Sequence, residues 1–244
     1  MTEASPLPQL VLCVPGPWED RSQFLRLLIE RTQGAYLFAG QILMHVETKK
    51  AFTLEFESRD ERMSGAFSAA GHHWRDSDAM HLIDAHRSVV YLLGSGESEK
   101  EIAALMLAAQ ALLDAGGLGV KVENTGVAHS PASWKTMCSE LHLFSPYRAF
   151  VIVVTSSNEA YSCGMHCFGL HDVQVIDADG DSALQVARTF SWYLYTERPS
   201  ISDGQTFACD EHAPAYRIST GAGVAYEPDS MFKNPYGTWE LQRC

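Results

Sequence analysis

SEKEIAALMLAAQALLDAGG, residues 98–117, is the stretch on which the reading of the fold turns. Ser98 with Glu101 three positions later forms a capping-box signature, and Gly116 with Gly117 supplies the stop. Between them the helix is apolar almost all round, so it is a buried central element rather than a surface one. Directly before it stands VVYLL, residues 89–93, a strand with a strongly apolar centre. A strand feeding a buried helix makes this a layered α and β chain.

Working outward gives the same alternation. Residues 9–14 read as a first strand broken by Pro15, Gly16 and Pro17. Phe24, Leu25, Leu28 and Ile29 then recur at helical spacing, and Gly34 closes that helix. Strands are expected at 36–46 and 51–56, helices at 63–70 and 77–86, and a strand at 87–93. Beyond the central helix come a strand at 118–122, a helix starting at Pro131 with Ser130 as cap, and a strand at 149–155. Further strands are expected at 161–168 and 173–176, a helix at 181–196, and short strands at 206–209 and 216–219. The order resembles the split βαβ pattern. The expected fold class is α+β, with mixed or antiparallel sheets and two ferredoxin-like βαββαβ halves, 1–94 and 95–244, packed as one body.

The chain has 244 residues, with 18 Lys and Arg against 30 Asp and Glu, for a net charge of −12. That balance argues against nucleic-acid binding, which needs a basic face. No apolar run approaches the roughly 18 residues of a membrane span. The opening MTEASPLPQL lacks the basic and apolar regions of a signal peptide, so the expected compartment is the cytoplasm. In that compartment the six cysteines at 13, 138, 163, 167, 209 and 244 read as free thiols.

The densest group of metal-capable side chains is Cys163, His166, Cys167, His171 and Asp172. On an extended strand Cys163 and Cys167 would share a face and His166 would point away. No second Cys-x-x-Cys or His pair closes a zinc site, so the group reads as core thiols with a surface histidine, and no metal or cofactor is expected. The DADGD run at 177–181 fails as a calcium loop: Gly180 stands at position 4 and Arg188 at position 12. It reads as an acidic turn capping the following helix. His72 and His73 read as part of a solvated loop, and GSGES at 94–98 as a strand-to-helix turn lacking the phosphate-loop lysine. No residue presents itself as catalytic.

Charge placement is more distinctive. Between Glu159 and Glu211 nine acidic residues stand against Arg188 and Arg198 alone. Such a face aids solubility, and it also suits a basic protein partner, since complementary charge speeds association. The candidate contact residues are Asp177, Asp179, Asp181, Asp203, Asp210 and Glu211.

Three segments resemble a bacterial family known only as a domain of unknown function. They are HLIDAHRSVVYLLGSGESEKEIAALMLAAQALLDAGGLGVKVENTGVAHSPASW, RAFVIVVTSS, and YSCGMHCFGLHDVQVIDADGDSALQVARTFSWYLYTERPSISDGQTF. The resemblance covers roughly residues 80–225 and rests mostly on packing and turn residues. It implies similarity to immunity proteins of type VI secretion systems, which neutralise a cognate effector, here one of nuclease type. The implied partner is that effector, encoded by an adjacent gene. The alternatives are a metal-dependent hydrolase using the Cys163–Asp172 cluster with His72 or His73, or a scaffold unrelated to toxins.

Overall fold

The computed structural model describes residues 7–75, 77–176 and 179–244, with His72 described in its backbone only. The chain forms two compact units, one of residues 9–149 and one of residues 150–244 with the segment ending at Pro8. Each has its own sheet, so the class is α+β. Among the described residues no helix is long and apolar enough to cross a membrane.

In the first unit the elements run β1 (Gln9–Gly16), α1 (Arg21–Arg31), β2 (Tyr36–Ala39), β3 (Ile42–His45), β4 (Ala51–Ser58), α2 (Met63–Ala69), α3 (His72–Arg75), α4 (Ala79–Asp84), β5 (Ser88–Ser95), α5 (Glu99–Asp114), β6 (Val120–Val122), β7 (Ala128–His129) and α6 (Pro131–Ser139). The strands form one antiparallel sheet in the order β2-β3-β4-β5-β1-β6-β7. Register pairs Leu12 with Leu92 and Val14 with Val90, which places these residues on one face. On that face Gly94 makes room for α5: a Cβ there would stand 2.8 Å from Leu105 Cδ1. The opposite face carries Cys13, Val89 and Ala128, packed with Met63, Phe67, Trp74, Met80 and Ile83 of α2, α3 and α4. β1 and β5 are therefore covered on both sides, which is why both read as nearly unbroken apolar runs.

α7 (Phe144–Phe150) carries the chain across the boundary between the units. The second unit then runs β8 (Ile152–Thr155), β9 (Glu159–Cys163), a 3-10 turn (Met165–Phe168), β10 (Asp172–Ile176), α8 (Gly180–Glu197), β11 (Thr206–Phe207), β12 (Tyr216–Gly221) and β13 (Thr238–Arg243). The strand order is β11-β12-β13-β10-β9-β8. Among the described residues of this unit, only the β10–β13 pairing is parallel. α8 packs across β8, β9 and β10, burying Ala183, Val186, Ala187, Phe190 and Leu194. Phe190 also meets Phe207 of β11 at 4.8 Å between ring centroids.

Several expectations are corrected. The division falls at 149/150 rather than 94/95, because β5 and α5 belong to the first sheet and its cover. The ferredoxin-like order is absent from both units: three strands lie between β1 and β2, where a split βαβ unit has one. The strand expected at 36–46 is a hairpin turning at Gly40, which adopts φ 59°. The strand expected at 149–155 begins only at Ile152, because Ala149 and Phe150 close α7 as fully buried residues. The strand expected at 161–168 stops at Cys163: Gly164, at φ 115°, turns the chain into the 3-10 segment.

Candidate functional site

The acidic candidates divide by place. Asp177 lies outside the described residues. Asp179 is the N-cap of α8, its Oδ1 accepting the Ser182 N–H at 3.1 Å, and Asp181 follows in the first turn. The hydrogen bonds from Ser182 hold the exposed Asp179 carboxyl below the usual carboxylate range. The α8 wall that starts there faces the loop before β12 across a groove of about 220 Å³, lined by Ser182, Gln185, Cys209, Asp210 and Arg243 among others. Asp210 accepts the His212 N–H, and Glu211 stands exposed beside it. The fold thus gathers Asp179, Asp181, Asp210 and Glu211 about one end of α8. Asp203 is placed apart, tying the backbone and hydroxyl of Thr220 at 2.7 and 3.0 Å. Among the described residues none of these five carboxylates pairs with a lysine or arginine.

The Cys163–Asp172 cluster takes a form that strand periodicity did not foresee. Asp172, at the start of β10, is buried and accepts from Ser162 Oγ at 3.0 Å, Met165 N at 3.2 Å and Asn234 Nδ2 at 2.8 Å. Ser162 Oγ also accepts the Val173 N–H at 2.8 Å, so the hydroxyl is committed on both sides. His166 is 6% exposed, not a surface histidine, because the 3-10 turn folds it inward. Its Nδ1 lies 3.9 Å from Asp172 Oδ2. Burial first, then the charge of Asp172, pushes the Cys163 thiol up to about 12; Cys167 is also raised, by burial and by Cys163. Protonated and buried, neither sulfur is a nucleophile at neutral pH. Among the described residues no three His, Cys, Asp or Glu side chains are grouped to hold a metal ion.

Beside this network lies a cavity of about 210 Å³. Alternation puts the fully buried cross-strand neighbours Ala160 and Val175 on one face of β9 and β10. Tyr161 and Gln174 fall on the other, where they line the cavity with Asp172. The segment 222–237 supplies the rest of the lining with Tyr226, Phe232, Lys233 and Asn234. Asn234 is the tie, donating to Asp172 and to the Leu170 carbonyl while its Oδ1 accepts the Tyr236 N–H. Sequence reasoning missed these residues. The Asn-Pro-Tyr-Gly run signals a turn, but nothing in it tells which strand the asparagine reaches.

Other sequence candidates are dispersed. His73 is exposed in α3, which stands where a loop was expected, and Trp74 beside it is core. His171 is half-buried and stacked on Trp239 at 4.7 Å, and burial lowers its affinity for a proton. Ser98 caps α5 as expected, but the Glu101 carboxylate pairs with Lys50.

Residues 161–241 match the family model described as a domain of unknown function (DUF4261). The DUF4261 match runs from β9 into β13 and so contains the Asp172 network, the cavity and α8. It begins well after residue 80, where the resemblance was expected to start. No curated protein and no solved structure matches the chain.

Proposed function

We propose that this protein neutralises a cognate type VI secretion effector of nuclease type by stoichiometric binding in the cytoplasm, using the acidic surface of its second unit. The observation that carries this reading is the set of exposed carboxylates Asp179, Asp181, Asp210 and Glu211 about one end of α8, none paired with a lysine or arginine among the described residues. Residues 150–244 hold twelve acidic and five basic side chains, a balance of minus seven. Exposed carboxylates without a lysine or arginine partner contribute little to stability and are well suited to steering a basic partner. A protein that grips a polyanion such as nucleic acid has the complementary charge.

The test is co-purification with the product of the adjacent gene, followed by calorimetry at two salt concentrations. A one-to-one complex is expected, weakening at least tenfold as salt rises. Replacing Asp181, Asp210 and Glu211 together by lysine is expected to lower affinity at least tenfold with an unchanged circular dichroism spectrum. Absence of a complex at low salt, or a triple variant that binds normally, refutes the reading.

A further inference from the structure

We infer that the cavity between the β9–β10 face and the 222–237 segment is a recognition pocket for an organic ammonium group. This inference does not rest on the neutralisation reading, since it concerns a different face of the second unit.

The first observation is an unbalanced charge. Asp172 is among the residues lining the cavity, and its buried carboxylate takes its hydrogen bonds from a hydroxyl, a backbone amide and a side-chain amide, all neutral. Buried carboxylates normally have a cationic partner, because hydrogen bonds from neutral dipoles do not cancel the charge. Among the described residues the one ionisable nitrogen within ion-pair distance is His166 Nδ1, at 3.9 Å. Lys233, also on the lining, is exposed and forms no ion pair with Asp172. The negative field reaches the walls: burial comes first, but Asp172 contributes to raising both Cys163 and Tyr226.

The second observation is the wall chemistry. Tyr161, Tyr226 and Phe232 line the same cavity. Tyr226 and Phe232 meet edge to face, with centroids 5.9 Å apart and planes at 81°, forming an aromatic corner. Aromatic faces attract cations through their quadrupole, and rings combined with a carboxylate are the usual chemistry for holding an ammonium head. An anion or a neutral apolar ligand would meet Asp172 unfavourably. The volume of about 210 Å³ lies below the range of roughly 300–1,000 Å³ for whole-ligand pockets. It therefore suits the end of a chain, either a small free alkylamine or a lysine side chain from another protein.

Calorimetric titration of the whole protein with butylammonium, with butanol, and with a lysine blocked at both its backbone ends tests this. Butylammonium or the blocked lysine is expected to bind one to one, and butanol at least tenfold more weakly. Binding of both amines supports the ammonium pocket without preference of source. Butylammonium alone indicates a free amine, and blocked lysine alone indicates a protein side chain. Asp172→Asn is expected to weaken the amine at least tenfold. Should that variant unfold, Phe232→Leu on the half-buried segment is expected to cost about threefold to tenfold at an unchanged melting temperature. Equal binding of butanol and butylammonium, no binding of either amine, or amine affinity indifferent to a folded Asp172→Asn or Phe232→Leu overturns the assignment.

Discussion

His166 Nδ1 stands 3.9 Å from Asp172 Oδ2, beyond hydrogen-bond reach, and among the described residues neither ring nitrogen of this buried histidine has a hydrogen-bond partner. The two residues therefore differ sharply in what their removal does. Asp172 satisfies three donors, so Asp172→Ala leaves a hydroxyl, a backbone N–H and one N–H of the Asn234 amide without their acceptor in the interior. A loss of about 3 kcal/mol or more is expected, at about 1–3 kcal/mol per buried orphan. His166→Leu removes two orphans and creates none, so it should be neutral or stabilising by about 1 kcal/mol. Urea denaturation of the two variants checks the contrast, and a large loss with leucine would contradict it.

His129 in β7 couples stability to pH. Burial dominates over its hydrogen bond to the Ala149 carbonyl at 2.9 Å and lowers its pKa from 6.5 to about 4. The folded state thus keeps the ring neutral while the unfolded chain takes up the proton. The stability this group contributes is complete above pH 6.5 and is lost as pH falls towards 4. The loss is about 3 kcal/mol at 1.36 kcal/mol per pH unit. The urea midpoint of the wild type should fall across that window, and His129→Gln should flatten the slope. An identical slope in the variant would remove His129 from the acid response.

The thiols should differ widely in reactivity. Cys244 is exposed, Cys209 and Cys138 are half-buried, and Cys13, Cys163 and Cys167 are buried. Burial raises Cys138 to about 12 and Cys13 further. With a chromogenic disulfide reagent at neutral pH, Cys244 should react first and Cys209 next. The remaining four should react only in denaturant. Rapid modification of Cys163 or Cys167 would contradict the packing of the 3-10 turn.

Asp179 has two roles that can be separated. As the cap of α8 it satisfies the Ser182 N–H, and as an exposed carboxylate it adds to the acidic rim. Asp179→Ala should lower the melting temperature, whereas Asp179→Ser should hold it, because serine caps equally well. If partner binding depends on charge, both variants should lose affinity alike. Affinity that follows melting temperature instead would assign the residue to the fold alone.

Helix termini were the most legible feature of the sequence. Ser98 and Ser130 each cap a helix through a side-chain oxygen as expected, because capping is decided within a few residues. The acidic turn before α8 reads as a cap too, but the capping residue is Asp179, two positions before the expected helix start at 181. Strands bounded by apolar alternation also emerged, as at Gln9–Gly16 and Ser88–Ser95. Where the chain turns on a left-handed glycine inside an apolar run, as at Gly40 and Gly164, periodicity carried the expected strand too far. The acidic rim was partly legible, since composition locates charge but does not show that Asp203 is spent on Thr220. The cavity was not legible. Its lining joins β9 and β10 to residues some 50 to 70 positions later, and β13, which completes the sheet beside it, sits in a Pro- and Gly-containing tail that hides its short alternation.

The place of β13 has a consequence for how the protein is made. It lies between β10 and β12, parallel to the one and antiparallel to the other. A ribosome that has reached residue 237 has produced five of the six strands of this sheet, in two groups that lack the strand through which they hydrogen-bond to one another. Assembly of the second unit must therefore wait until residues 238–243 are free, whereas residues 9–149 hold all their own strands and can fold during synthesis. A chain broken off shortly before residue 238 would carry a formed first unit beside an unassembled second one, a natural substrate for proteolysis.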